Sequence, residues 1–176
     1  ELFDKATPYH LKALTIRIKN KDKQGQIASY NNLGVCYNNL NEHEKAKESF
    51  QKGFELAKGK YIWIAESDDY CELNFLEKVS KPLLENKDVV LSFCQSNRVN
   101  EKGVVTGSWI TQTDDLDKSL FLNDFIMDSN EFIEKYLIYR NVIPNASAVV
   151  FRREDVDINK HFDIGREFRY CGDWMF

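Results

Sequence analysis

The sequence predicts an all-α helical repeat over residues 1–57 followed by an α/β domain over residues 58–176. Three observations predict it. One stretch repeats itself at an offset of 40 residues, the hydrophobic period changes at Gly59, and strands alternate with helices from there onward.

The repeat emerges when KATPYHLKALTI (5–16) is written above KAKESFQKGFEL (45–56), which aligns Lys5 with Lys45, Ala6 with Ala46, Lys12 with Lys52 and Ala13 with Gly53. Within the complete unit (27–57), helical spacing puts Tyr30, Leu33, Gly34 and Tyr37 on one face, and Ala46, Phe50, Gly53 and Phe54 on the next. The small residues Gly34, Ala46 and Gly53 let two antiparallel helices approach closely, and the aromatics fill the space between them. Asn41 falls in the turn. This pattern resembles the tetratricopeptide repeat, with one full unit and the second half of a preceding one. The resemblance implies a helical hairpin that takes a protein or peptide partner, and helix-face geometry makes Asn31, Asn38 and Lys45 the candidate groove residues. Stacked repeats need roughly three units for stability, so the array is expected to belong to something longer or to lean on the α/β domain after it.

Composition narrows the function classes. The chain has 176 residues, 43% of them hydrophobic and 30% charged, which is a globular composition with enough apolar material for a core. Its net charge of -4 gives no electrostatic reason to expect nucleic acid or an anionic membrane as partner. Cys36, Cys71, Cys94 and Cys171 match no zinc-ligand spacing and are read as reduced thiols. His10, His43 and His161 are scattered. No apolar stretch approaches the ~20 residues of a membrane span, and no signal peptide is visible, so a cytoplasmic location is expected.

Beyond residue 57, Gly59 is placed to end the preceding helix in a left-handed conformation. KYIWIA (60–65) then reads as a buried strand. NFLEKVSKPLLEN (74–86) has a helical apolar face that Pro82 is expected to bend. DVVLSFCQSNRVN (88–100) reads as a second strand, KGVVTGSWI (102–110) as a turn and short strand, and TQTDDLDKS (111–119) as a loop. SNEFIEKYLIYR (129–140) reads as a helix capped by Ser129 or Asn130. ASAVVFRR (146–153) is a third strand, and REFRYCGDWMF (166–176) starts a last helix.

The strand at 60–65 runs into Glu66, Asp68 and Asp69, with Ser67 leaving space between the acids. Carboxylates alternating at a strand tip converge just outside a sheet, and hard oxygen donors so placed suit Mg²⁺ or Mn²⁺ together with phosphate oxygens. On local pattern alone the favoured reading is that the same residues cap the N-terminus of the helix at 73–86.

Wider context shifts the balance. KGFELAKGKYIWIAESDDY followed by NFLEKV resembles the central part of family-2 glycosyltransferases, nucleotide-sugar-dependent enzymes of the GT-A fold. The resemblance implies Asp69 at the metal and diphosphate, Asp68 at the metal and the ribose or donor sugar, and Glu66 at the first acidic position. NVIPNASAVVFRR (141–153) resembles the strand at the donor and acceptor cleft, with Asn145 and Ser147 as polar contacts to sugar. YCGDWMF (170–176) resembles the segment that carries the catalytic base, here Asp173, which would take the acceptor hydroxyl proton in an inverting transfer. The implied partners are a nucleotide-sugar donor such as a UDP-sugar and a sugar, lipid or protein acceptor.

Nothing resembles the family's first two strands, which hold the nucleotide, and tetratricopeptide helices stand in their place. The α/β part is therefore expected to be a partial GT-A domain with a Rossmann-like half sheet, carrying the metal and acceptor half without a complete donor site. The competing expectation is a tetratricopeptide interaction module on a non-catalytic α/β support.

Overall fold

The computed structural model describes residues 2–65 and 69–156. One unit contains residues 2–60 and a second spans Tyr61–Asp155.

Residues 2–56 of the first unit form three helices, α1 (Leu2–Lys19), α2 (Lys23–Asn39) and α3 (His43–Leu56), with α2 packed against both neighbours. The two connections are built alike. Asp22 N–H donates to the Arg17 carbonyl and Lys21 N–H to that of Ile18; twenty residues later Glu42 donates to Tyr37 and Asn41 to Asn38. This pair of bonds closes a helix end only when the residue after the cap is left-handed. Lys21 and Asn41 are, with φ of 56° and 61°. Asp22 then starts α2, its side chain accepting from Gly25 N–H at 2.8 Å.

Close approach of α2 and α3 depends on Gly34. A Cβ at that position would lie 2.6 Å from the Phe50 ring, so the ring lies against bare backbone. Leu33, Cys36 and Ala46 are buried around it. A polar lock joins α1 to α2: Arg17 Nη1 donates to the Gly25 carbonyl (2.9 Å) and to the fully buried Ser29 hydroxyl (2.7 Å), and Gln26 donates back to the Arg17 carbonyl (3.2 Å). Gly59 does not end α3. The helix closes at Ala57, in extended backbone at φ -67° and ψ 125°, and Gly59 is not left-handed.

In the second unit, β1 (Tyr61–Trp63) leads through α4 (Phe75–Glu85) to β2 (Leu91–Phe93). β5 (Val149–Arg152) lies between these two strands and pairs antiparallel with both, Trp63 opposite Val150 and Phe93 opposite Val149. β1 and β2 are therefore parallel to one another, a split β-α-β arrangement. The region is mixed α and β, but its ladders are antiparallel, unlike the expected Rossmann-like half sheet. Local pattern reads strands, not their direction.

α4 covers one face of the sheet through Phe75, Val79 and Leu83, which pack with Val150, Trp63 and Cys94. Pro82 sits inside α4 without ending it, and the helix continues to Glu85. Arg152 is 3% exposed. Its Nη2 donates to the carbonyls of Leu83, Asn86 and Val89 at 2.8, 3.3 and 3.1 Å, closing the end of α4 and the loop after it.

The stretch read as one strand at 88–100 is two. It leaves the sheet after Phe93, and β3 (Asn97–Val99) pairs with β4 (Val105–Ser108) in a separate hairpin. Gly103, at φ 74°, makes that turn, and Asn100 accepts from Lys102 and Val104 N–H within it. The helix expected at 129–140 is capped by Asp128, not Ser129 or Asn130: the Asp128 carboxylate accepts from Asn130 and Glu131 N–H. Its first turn (α5, Ser129–Phe132) widens into a π-turn at Ile133–Leu137. There Tyr136 packs with Phe121 and Val142 in a second aromatic-rich core. The expected third strand begins as a 3-10 turn, Ala146–Ala148, before β5. The last expected helix (166–176) lies outside the described residues. No helix among the described residues is long and apolar enough to cross a membrane.

Candidate functional site

Two surfaces carry chemistry, one in each unit. In the helical unit, Gln24, Ala28, Asn31, Val35 and Asn38 are all exposed on α2. Their spacing of four, three, four and three residues places them in one line along the helix. That line runs about 21 Å at 1.5 Å per residue, the span of roughly six residues of extended chain. Three carboxamides, each able to donate and accept, alternate with two small apolar side chains. Side-chain carboxamides of this kind are able to hydrogen-bond the N–H and C=O groups of a peptide backbone. The Asn38 side-chain oxygen lies 3.3 Å from His43 Nδ1. Lys45, the third candidate groove residue, is exposed on α3, pairs with Glu42 and lies over the Tyr37 ring. Its ammonium pKa is raised, first by the hydrogen bond to Glu42, so it is a partly committed cation.

In the α/β unit, the register brings three chain segments to one edge of the sheet. β1 and β2 both finish there, and the turn Asn145–Ala148 leads into β5 from the same edge. Two bonds hold these segments together. Trp63 Nε1 donates to the Ser147 carbonyl at 2.8 Å, and Cys94 N–H donates to the Ala148 carbonyl at 3.1 Å. The sequence reading missed Trp63. The signal was an indole in a strand otherwise made of aliphatic and phenolic side chains, since a half-buried indole N–H needs an acceptor.

Of the candidate metal and catalytic residues, Glu66, Asp68 and Asp173 lie outside the described residues. Asp69 is exposed. Its carboxylate is a hard oxygen donor of the type that Mg²⁺ or Mn²⁺ takes. Among the described residues no group of three acidic, histidine or cysteine side chains is positioned to hold a metal ion. Asn145 is placed at the shared edge, but its Oδ1 accepts from Ala148 N–H at 2.8 Å and caps the turn, which leaves the Nδ2 as its donor toward a ligand. Ser147 contributes its main-chain carbonyl to Trp63. Cys94 is half buried, and burial, with the neighbouring Cys71 thiol, pushes its own thiol pKa up. It is therefore not an activated nucleophile.

Nothing among curated proteins or solved structures matches the chain. Residues 1–59, about a third of the sequence, match the family model of the tetratricopeptide repeat.

Proposed function

We propose that the helical unit is a peptide-binding module whose contact surface is the carboxamide row of α2. The observation that carries this reading is the exposed line Gln24, Ala28, Asn31, Val35 and Asn38, on a segment that matches the tetratricopeptide repeat. An extended peptide laid along it exchanges main-chain hydrogen bonds with Asn31 and Asn38, while Ala28 and Val35 contact its small side chains. The α/β unit is a support in this reading. Selecting binders for the full chain from a displayed random-peptide library tests it. Enriched peptides bind the wild type, lose about tenfold in affinity for each of Asn31→Ala and Asn38→Ala, and bind Asp69→Ala unchanged. Each tenfold step corresponds to about 1.4 kcal/mol, the size of one hydrogen bond. Selected peptides indifferent to both asparagines would exclude the reading.

A second reading concerns the α/β unit, and the convergence of the β1 and β2 carboxyl ends with the Asn145–Ala148 turn favours it. β1 and β2 run in the same direction on either side of the antiparallel β5, so both of their carboxyl ends lie at the end of the sheet where that turn enters β5. With the resemblance to family-2 glycosyltransferases, this edge is the corner where a nucleotide-sugar donor and its divalent cation meet an acceptor. Asp69, with Glu66 and Asp68 beside it in sequence, would hold the cation, which supplies neutralisation of the departing diphosphate. The Asn145 Nδ2 is a donor toward a sugar hydroxyl, and the resemblance implies Asp173, outside the described residues, as the base for the acceptor proton. Calorimetric titration with UDP-sugars and Mn²⁺ tests this: binding that needs Mn²⁺ and disappears in Asp69→Ala supports it, and heat unchanged by that substitution excludes it.

A further inference from the structure

Within the α/β unit, Cys71 and Cys94 approach one another from different segments. Cys94 directly follows β2; its N–H donates to the Ala148 carbonyl at 3.1 Å, and its side chain packs against the cluster of Phe75, Val79, Leu83 and Val150. Cys71 lies in the connection from β1 to α4, and contacts on either side of it bring that connection to the same place. After it, Phe75 N–H donates to the Glu72 carbonyl at 2.9 Å, a tight turn that holds Glu72 beside a member of the cluster Cys94 packs against. Before it, Tyr70 reaches the hairpin that the chain enters after Cys94: a Cβ on Gly103 would stand 3.9 Å from the Tyr70 hydroxyl. Cys71 sits between these two contacts, and its thiol is near enough for its charge to act on that of Cys94. The two differ in access, Cys71 being exposed and Cys94 half buried.

We infer that Cys71 and Cys94 form a dithiol that a small disulfide such as oxidised glutathione converts reversibly to a crosslink, Cys71 attacking first and Cys94 resolving. The Cys71 Sγ, as thiolate, attacks one sulfur of the small disulfide, whose S–S bond breaks to release one small thiol. The Cys94 Sγ then attacks the Cys71 Sγ, passes its proton to the second departing thiol and closes the protein disulfide. Two electrons and two protons go from the cysteine pair to the small disulfide, which becomes two thiols. Exposure makes Cys71 the entry point, and burial keeps Cys94 from reacting first. A disulfide holds its two Cα atoms about 4.4–6.8 Å apart, so closing it fixes Cys71 against the end of β2. Asp69 stands two residues before Cys71, and Cys94 is bonded to the turn before β5, so the crosslink draws the edge of the sheet together. It depends on neither functional reading.

Incubation of the full chain with oxidised glutathione, then alkylation in denaturant and peptide mass mapping, tests the inference. Wild type yields peptides joined Cys71 to Cys94, dithiothreitol reverses the bond, and hydrogen exchange of the amides around Cys71 slows about tenfold while it is closed. Cys94→Ser and Cys94→Ala both stop with glutathione on Cys71, whereas Cys71→Ser leaves Cys94 free for alkylation. Wild type that stops with glutathione on Cys71 would overturn the inference. So would a chief product joining Cys71 to the buried Cys36, to Cys171, which lies outside the described residues, or to a second copy of the chain. Glutathione on Cys94 in Cys71→Ser would also overturn it, since the order of attack would be reversed.

Discussion

The indole Nε1 of Trp63 donates to the main-chain carbonyl of Ser147 at 2.8 Å, joining the last residue of β1 to the turn that precedes β5. With an 84-residue separation, it is one of the two bonds that gather the candidate edge of the α/β unit. Trp63→Phe keeps most of the apolar contact with Phe75 and removes only the donor. It should cost about 1–2 kcal/mol, the penalty for an unmet carbonyl, read as a lower urea midpoint at unchanged slope.

Arg152 closes α4 from the neighbouring strand. Its Nη2 reaches three carbonyls, its Nε lies 3.3 Å from the Asp155 carboxylate, and its guanidinium lies over the Tyr61 ring. Arg152→Met fills similar volume but leaves Leu83, Asn86 and Val89 without that donor. A loss of about 3 kcal/mol or more in chemical unfolding is expected.

Gly34→Ala tests the closeness of α2 and α3. The new methyl would meet the Phe50 ring at 2.6 Å, so overpacking of about 1–3 kcal/mol is expected despite the better helix propensity of alanine. In a Phe50→Leu background the penalty should shrink. Additive effects of the two substitutions would show that the ring and the glycine are not coupled.

Lys21 carries left-handed strain that glycine does not, and asparagine tolerates that region better than lysine. Lys21→Gly should therefore stabilise the helical unit by roughly 0.5–1 kcal/mol, and Asn41→Gly by less. Thermal unfolding of the two variants reads the order directly.

Asp117 gives the protein an acid-sensitive turn. Hydrogen bonds from Leu120 N–H, Ser119 N–H, the Ser119 hydroxyl and the Tyr136 hydroxyl hold its carboxyl pKa down to about 2, from an ordinary 3.8. A depressed folded pKa means the contribution is complete above 3.8 and is lost as pH falls from there toward 2. Between pH 5 and pH 2.5, wild type should lose more stability than Asp117→Asn, which has no such proton to take up.

Legibility in the sequence followed the range of the interactions involved. The close contact of α2 and α3 is written in Gly34 and Phe50 because a periodic pattern and a missing side chain are both local signals. Asn41 was legible for the same reason. Strand direction in the sheet was not, because β1 and β5 meet across more than eighty residues and alternation says nothing about orientation. Gly59 misled because glycine permits the left-handed conformation without requiring it, and the chain leaves α3 extended at Ala57. Asn145 was named through the family resemblance as a polar contact to sugar, and pattern alone gave no sign that its Oδ1 accepts from Ala148 N–H within the turn it starts. Asp128 was overlooked as a cap because the next two residues, Ser129 and Asn130, are also good capping residues.

The most direct measurement of the central claim is the response of the side-chain amide resonances of Asn31 and Asn38 in ¹⁵N-labelled full chain titrated with a library-selected peptide. Peptide binding on the α2 row shifts both carboxamide signals, with Gln24 moving in parallel, at the dissociation constant found by calorimetry. Saturation of the chain with those signals in place, while resonances elsewhere move, would contradict it.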